Sequence, residues 1–147
     1  MRVARPPHPF SFAKLSAKEQ GRGQRMIGYI TIGTNDFEKS KAFYEKALAA
    51  LNVRKTFAND RMQGYGVKGQ PGSLVVCKPY DGAKATHGNG EMVALSAPTR
   101  EAVDAVYKEA LALGGADEGA PGDRGGGFYG AYFRDLDGNK LVVIKMG

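Results

Sequence analysis

Met26-Ile-Gly-Tyr-Ile-Thr-Ile-Gly33 runs into Asn35-Asp-Phe-Glu-Lys-Ser-Lys-Ala-Phe-Tyr44, and the same outline returns as Glu91-Met-Val-Ala-Leu-Ser-Ala97 followed by Thr99-Arg-Glu-Ala-Val-Asp-Ala-Val-Tyr107. Tyr29 and Met92 are separated by the same 63 positions as Tyr44 and Tyr107. Further along, Leu74-Val-Val-Cys-Lys78 recurs as Leu141-Val-Val-Ile-Lys145, each time just after a glycine-containing turn. A unit this short cannot bury its apolar face alone, so two copies are expected to pack as one domain.

Each copy reads as a strand, a helix and three further strands. Residues 26–34 carry the Ile, Tyr and Thr enrichment of a strand. Asn35 with Glu38 has capping-box spacing, and Phe37, Lys41, Tyr44 and Leu48 recur at helical intervals. Strands are expected near 53–58, 61–68 and 73–79, broken at Asn59-Asp60 and Gly69-Gln-Pro-Gly72. Residues 81–90 lack strong apolar side chains and read as the connector. The second copy gives a strand at 91–97 and a helix from Thr99 to Gly114-Gly115. A short strand at 116–119 and a mobile glycine-rich loop at 119–127 come next, then a hairpin of 128–134 and 140–146 around Asp135-Leu-Asp-Gly-Asn139. The expected fold class is α+β, with two tandem βαβββ modules at 26–80 and 91–146 forming cupped mixed sheets in a single domain, 26–146.

The bulk properties narrow the function classes. The chain has 147 residues, enough for a core without disulfides, and one cysteine, Cys77, which fits a reducing, cytoplasmic compartment. The formal charge is +6, yet Arg2, Arg5, Lys14, Lys18, Arg22 and Arg25 against Glu19 place +5 of it in residues 1–25. The remaining 122 residues carry +1, so the folded part lacks the basic footprint that nucleic acid requires. Residues 1–25, with Pro6, Pro7 and Pro9, read as a disordered or loosely packed arm, as upstream coding sequence before a start at Met26, or as a weak transit peptide. No run approaches membrane-spanning length, so no membrane partner is expected.

The paired modules, the strand–Asn-Asp–helix–Phe-Tyr opening and the Asp135-x-Asp-Gly-Asn139 hairpin resemble the vicinal oxygen chelate superfamily. That group holds glyoxalases, bleomycin resistance proteins and extradiol dioxygenases, and the resemblance spans about 26–146. Cys77-Lys-Pro-Tyr-Asp-Gly82 with Gly88-Asn-Gly90 is similar to its glyoxalase-like members. The resemblance implies a cupped scaffold, a homodimer, and a divalent metal held by His or Glu on the first and last strands of each module. Carried onto this chain, the four ligand positions fall on Tyr29, Met92, Val75 and Val142. None offers the imidazole or carboxylate such an ion needs, so neither metal nor cofactor is expected.

Strand alternation predicts a cavity face of Ile27, Tyr29, Thr31, Val75, Cys77, Met92, Ala94, Ser96, Val142 and Ile144. That lining suits a small, mostly apolar organic molecule. Tyr29, Thr31, Tyr65, Cys77, Met92 and Val142 are the candidate ligand contacts, with Arg124 as a clamp for an anionic group. The alternatives are a lyase or dioxygenase with a site rearranged around Glu91, His87 or Cys77, cofactor-free acid–base chemistry at Tyr29, or a module whose cavity is filled by its own side chains.

Overall fold

The computed structural model describes residues 26–147, so the expectation for the arm at 1–25 lies outside the described residues. The first module is β1 (Tyr29–Gly33), α1 (Phe37–Ala47), a 3-10 turn (Ala49–Leu51), β2 (Val53–Ala58), β3 (Met62–Val67) and β4 (Ser73–Cys77). The second is β5 (Val93–Ser96), α2 (Arg100–Ala112), β6 (Ala116–Asp123), β7 (Phe128–Arg134) and β8 (Lys140–Met146). Each module makes one four-stranded sheet, in the orders β1-β4-β3-β2 and β5-β8-β7-β6. β1 pairs with β4, and β5 with β8, in parallel; the other ladders are antiparallel. The duplicated βαβββ plan expected from the repeat is therefore the plan observed.

One core joins the copies. Phe43, Tyr44, Ala47 and Leu48 from the first helical segment meet Val103, Val106 and Ala110 of α2, and both stripes lie against Leu74, Val76, Phe133, Leu141 and Val143 of the sheets. Each fully buried aliphatic side chain contributes about 1.5–3 kcal/mol, and these positions are what the helical and strand periodicities of the sequence bring together. β1 and β5 are each an edge of their own sheet, and no backbone ladder joins them.

Three local expectations change. The N-cap of α1 is Asp36, whose Oδ1 accepts from Lys39 N at 3.1 Å. Asn35 is engaged elsewhere: its side chain donates to Ala85 O and accepts from Ala85 N, tying down the connector. Strand β6 runs to Asp123 instead of stopping at 119, with register shifts at Gly119 and Gly122. The glycine run 125–127, expected as a mobile loop, is a tight β6–β7 turn, closed by Arg124 N donating to Phe128 O and Phe128 N donating to Gly125 O. All three glycines have positive φ, which only glycine adopts without cost.

Candidate functional site

Residues directly opposed in a ladder share a face of the sheet, which sorts the candidate side chains. In the first sheet, Thr31 opposes Val75, Gly33 opposes Cys77, and Met62 opposes Cys77 in turn. Tyr29, Thr31, Val75 and Cys77 thus lie on one face, as the alternation predicts. Tyr65 does not. It opposes Leu74, on the face that packs under the helices, and its hydroxyl donates to Lys41 O. Burial, followed by the charges of Glu45 and Glu38, pushes that hydroxyl well above its ordinary pKa.

The expected cavity face is partly filled. Val75 is fully buried and Cys77 nearly so, in a small cluster with Met62 and Phe57. Gly64 opposes Val75, and a Cβ there would stand 2.5 Å from Thr56 Oγ1, so the missing side chain is the room that Thr56 occupies. Burial raises the Cys77 thiol above its ordinary pKa, with the Arg61 charge a weaker opposing influence. That disfavours the thiolate a nucleophile requires.

In the second sheet Ala94 opposes Val142, and Val142 opposes Tyr132. Met92 precedes β5 and is half-exposed, whereas Val142 is buried. Arg124, expected as a substrate clamp, spends Nη2 on the carbonyls of Ala120 and Gly130 and stacks its guanidinium 5.4 Å from the Tyr132 ring centre. It braces the β6–β7 hairpin.

The turn between β7 and β8 is the polar joint of the molecule. Tyr44 Oη donates to Asp135 Oδ2 at 2.5 Å. Asn139 Nδ2 donates to the same oxygen and to Gly33 O, each at 2.9 Å, while Asp135 Oδ1 accepts from the backbone N–H of Asp137 and Asn139. Asp137 Oδ1 accepts from Asn35 N. Burial raises the Asp135 carboxyl above its ordinary pKa, and these donors pull against it. The turn expected from Asp135-x-Asp-Gly-Asn139 is present, but its side chains fasten one module to the other.

Hollows lie around this joint and the edge strands, three of them larger than the rest among the described residues. A cleft of about 790 Å³ is lined by Ile27, Ile30, Leu51, Tyr65 and Leu74 from the first module and by Val93–Pro98 from the second. A smaller hollow of about 410 Å³ has Thr31, His87, Glu91, Met92 and Lys140 on its walls. The third, about 640 Å³, lies over Asp36, Lys39, Lys84 and Asp137. Of the ten residues in the expected cavity face, Ile27, Ala94 and Ser96 reach the large cleft, and Thr31 and Met92 reach the smaller hollow. Ile30, Val93 and Leu95 are cleft residues that alternation assigns to the core. They are accessible because β1 and β5 are edges that do not pair with each other.

The metal implied by the resemblance does not fit these residues. Tyr29, Met92, Val75 and Val142 supply no imidazole or carboxylate, and the two valines are buried. Among the described residues, no three His, Cys, Asp or Glu side chains come together as a metal-holding group.

The model of the Glyoxalase/Bleomycin resistance protein/Dioxygenase superfamily matches residues 26–143. A glyoxalase/bleomycin resistance protein from Albidiferax ferrireducens is 35% identical over 84% of this chain and 100% of its own, with a TM-score of 0.77. A hypothetical protein from S. aureus is 28% identical, covering 88% and 99%, with a TM-score of 0.62. Lactoylglutathione lyase from Agrobacterium tumefaciens shares the fold at 18% identity, covering 83% and 94%, with a TM-score of 0.59. No curated protein matches the chain.

Proposed function

The chain belongs to the glyoxalase/bleomycin resistance protein/dioxygenase superfamily, and from that premise we propose that it binds a small, mostly apolar organic molecule at the β1–β5 edge without a divalent metal. The observation that carries this reading is the lining of the 790 Å³ cleft, where Ile30, Leu51, Leu74, Val93 and Leu95 are joined by a few polar residues, among them Ser73, Ser96 and Gln70. A mostly apolar hollow with a few placed polar groups is the usual form of a small-molecule site. The metal-free half of the reading is supported by the four side chains at the ligand positions.

Incubation with Ni²⁺, Zn²⁺, Fe²⁺ or Mn²⁺, followed by gel filtration and elemental analysis, tests the metal-free half. The expected retention is below about a tenth of an equivalent, and retention near one equivalent of any of them overturns it. For the binding half, 1-naphthol at 100 times its dissociation constant would raise stability by about 2.7 kcal/mol. That rise should vanish in Leu95→Arg; its persistence would place the ligand elsewhere. A second copy covering the exposed Ile27, Tyr29 and Met92 completes the proposal, and a sedimentation mass of one chain would remove that part.

A further inference from the structure

The large cleft and the smaller hollow share two residues. Ile30 and Val93 line both, so the two hollows adjoin along the β1–β5 edge and are taken together as one groove with two ends. The ends differ in chemistry. The cleft end is walled by aliphatic side chains, whereas the other end has Thr31, Glu91 and Lys140 on its walls. Glu91 makes no ion pair with another described residue, and Lys140 stands over the Tyr132 ring, 5.7 Å from its centre, with its charge also felt by Glu118 but with no carboxylate at contact distance. Two opposite charges therefore stand on one small hollow without neutralising each other at contact distance.

His87 is held at the same end. Its ring packs where a Cβ on Gly138 would lie, 2.7 Å away, and Nδ1 stands 3.3 Å from Asp137 O. A carbonyl only accepts, so in the neutral ring this contact keeps the hydrogen on Nδ1 and leaves Nε2 as an acceptor.

We infer that the groove takes an uncharged amphiphile: an apolar body in the cleft and, at the Glu91–Lys140 end, a neutral head that both donates and accepts hydrogen bonds, such as a primary amide or an alcohol. This rests on the proposed apolar binding function and adds the chemistry of the head. A carboxylate head would meet Lys140 but face Glu91, and an ammonium head would do the reverse. Like charges brought to contact distance repel, whereas a neutral donor–acceptor head uses both groups.

The test uses three probes with one tail: octanamide, octanoate and octylamine. Amide chemical shifts of the ¹⁵N-labelled protein locate the probes and calorimetry ranks them. Octanamide should shift signals at both ends, Leu95–Ala97 and Glu91–Val93, and should bind about tenfold more tightly than either charged probe. Because any apolar cleft disfavours charge, the variants carry the decision. Glu91→Gln should narrow the gap for octanoate by about tenfold, and Lys140→Met should do so for octylamine. If neither gap changes, or if octanamide shifts only the Leu95–Ala97 signals, the head is not at this end and the inference falls while the apolar site stands. If no probe shifts the Leu95–Ala97 signals, the binding function itself falls.

Discussion

Tyr44→Phe removes one hydroxyl from the joint between the two modules, and its cost can be worked from the geometry. Tyr44 is fully buried and Asp135 is 5% exposed, so water replaces little of what is lost. The carboxylate keeps three N–H donors, each at 2.9 Å. The ring keeps its edge-on contact with Phe43, at 5.1 Å between centres, so no sizeable cavity opens. What disappears is one hydrogen bond to a charged acceptor, worth about 1.5–3 kcal/mol. At about 2–4 °C per kcal/mol for a chain of this size, the midpoint should fall by roughly 3–12 °C. The pH dependence has a definite sign. Burial raises the Asp135 carboxyl in the folded state, so its contribution is fully present below its unfolded pKa and is lost as pH rises through the folded value. The Tyr44 bond opposes that rise, and removing it hurts most where the carboxylate is ionised. Urea unfolding at about pH 7 and about pH 4 should show the larger loss at pH 7. A cost below about 0.5 kcal/mol at both values, or one that grows on acidification, would refute the joint as described.

Gly115→Ala would place a Cβ 2.7 Å from Ala110 O and 2.8 Å from Arg134 O, both backbone atoms that cannot swing away. It should cost about 1–3 kcal/mol beyond any change in chain entropy. Gly125→Ala, at φ +88 with nothing near the new methyl, should cost only about 1 kcal/mol. Equal costs for the two in chemical denaturation would contradict the packing around Gly115. Cys77 should react with a disulfide reagent only slowly at mildly alkaline pH and rapidly in urea, since burial both shields and raises the thiol. Fast labelling of the native protein would show that the Met62–Val75–Cys77 cluster is open.

The fold was legible because its signals are redundant. The 63-residue spacing, the helical recurrence of Phe37, Tyr44 and Leu48, and the turn glycines all point to the same duplicated plan. Helix α2 starts at its Thr99 cap and ends before Gly114, as its sequence implies. The site was less legible because alternation assigns faces without saying what covers them. It put Val75 and Val142 on the expected face, but Thr56, Phe57 and Met62 over one sheet and Tyr132 with Arg124 over the other are long-range packing choices. The face of Tyr65 was not legible for a simpler reason. Its face is set by its register opposite Leu74, and β3, with glycines at 64 and 66 on the other face, has no hydrophobic alternation from which to read it.

The two copies differ at one turn, and the two ends of the groove differ with it. Asp135-Leu-Asp-Gly-Asn139 in the second copy stands where the first has Lys68-Gly-Gln-Pro-Gly72. The acidic turn fastens on Tyr44, Gly33 and Asn35, which closes that end of the joint. The repeat partner of Tyr44 is Tyr107, and the first-copy turn offers it no carboxylate. Tyr107 Oη donates to Asp117 of its own module instead. The Gln70-Pro71-Gly72 turn therefore has no side-chain staple to the second helix start, and it lines the large cleft with Ala97 and Pro98 on the facing wall. Had both turns kept the acidic pattern, two staples would draw the modules together at both ends. With Asp and Asn in only one of the two turns, the other end keeps an apolar opening beside β5, and the proposed binding function depends on that asymmetry.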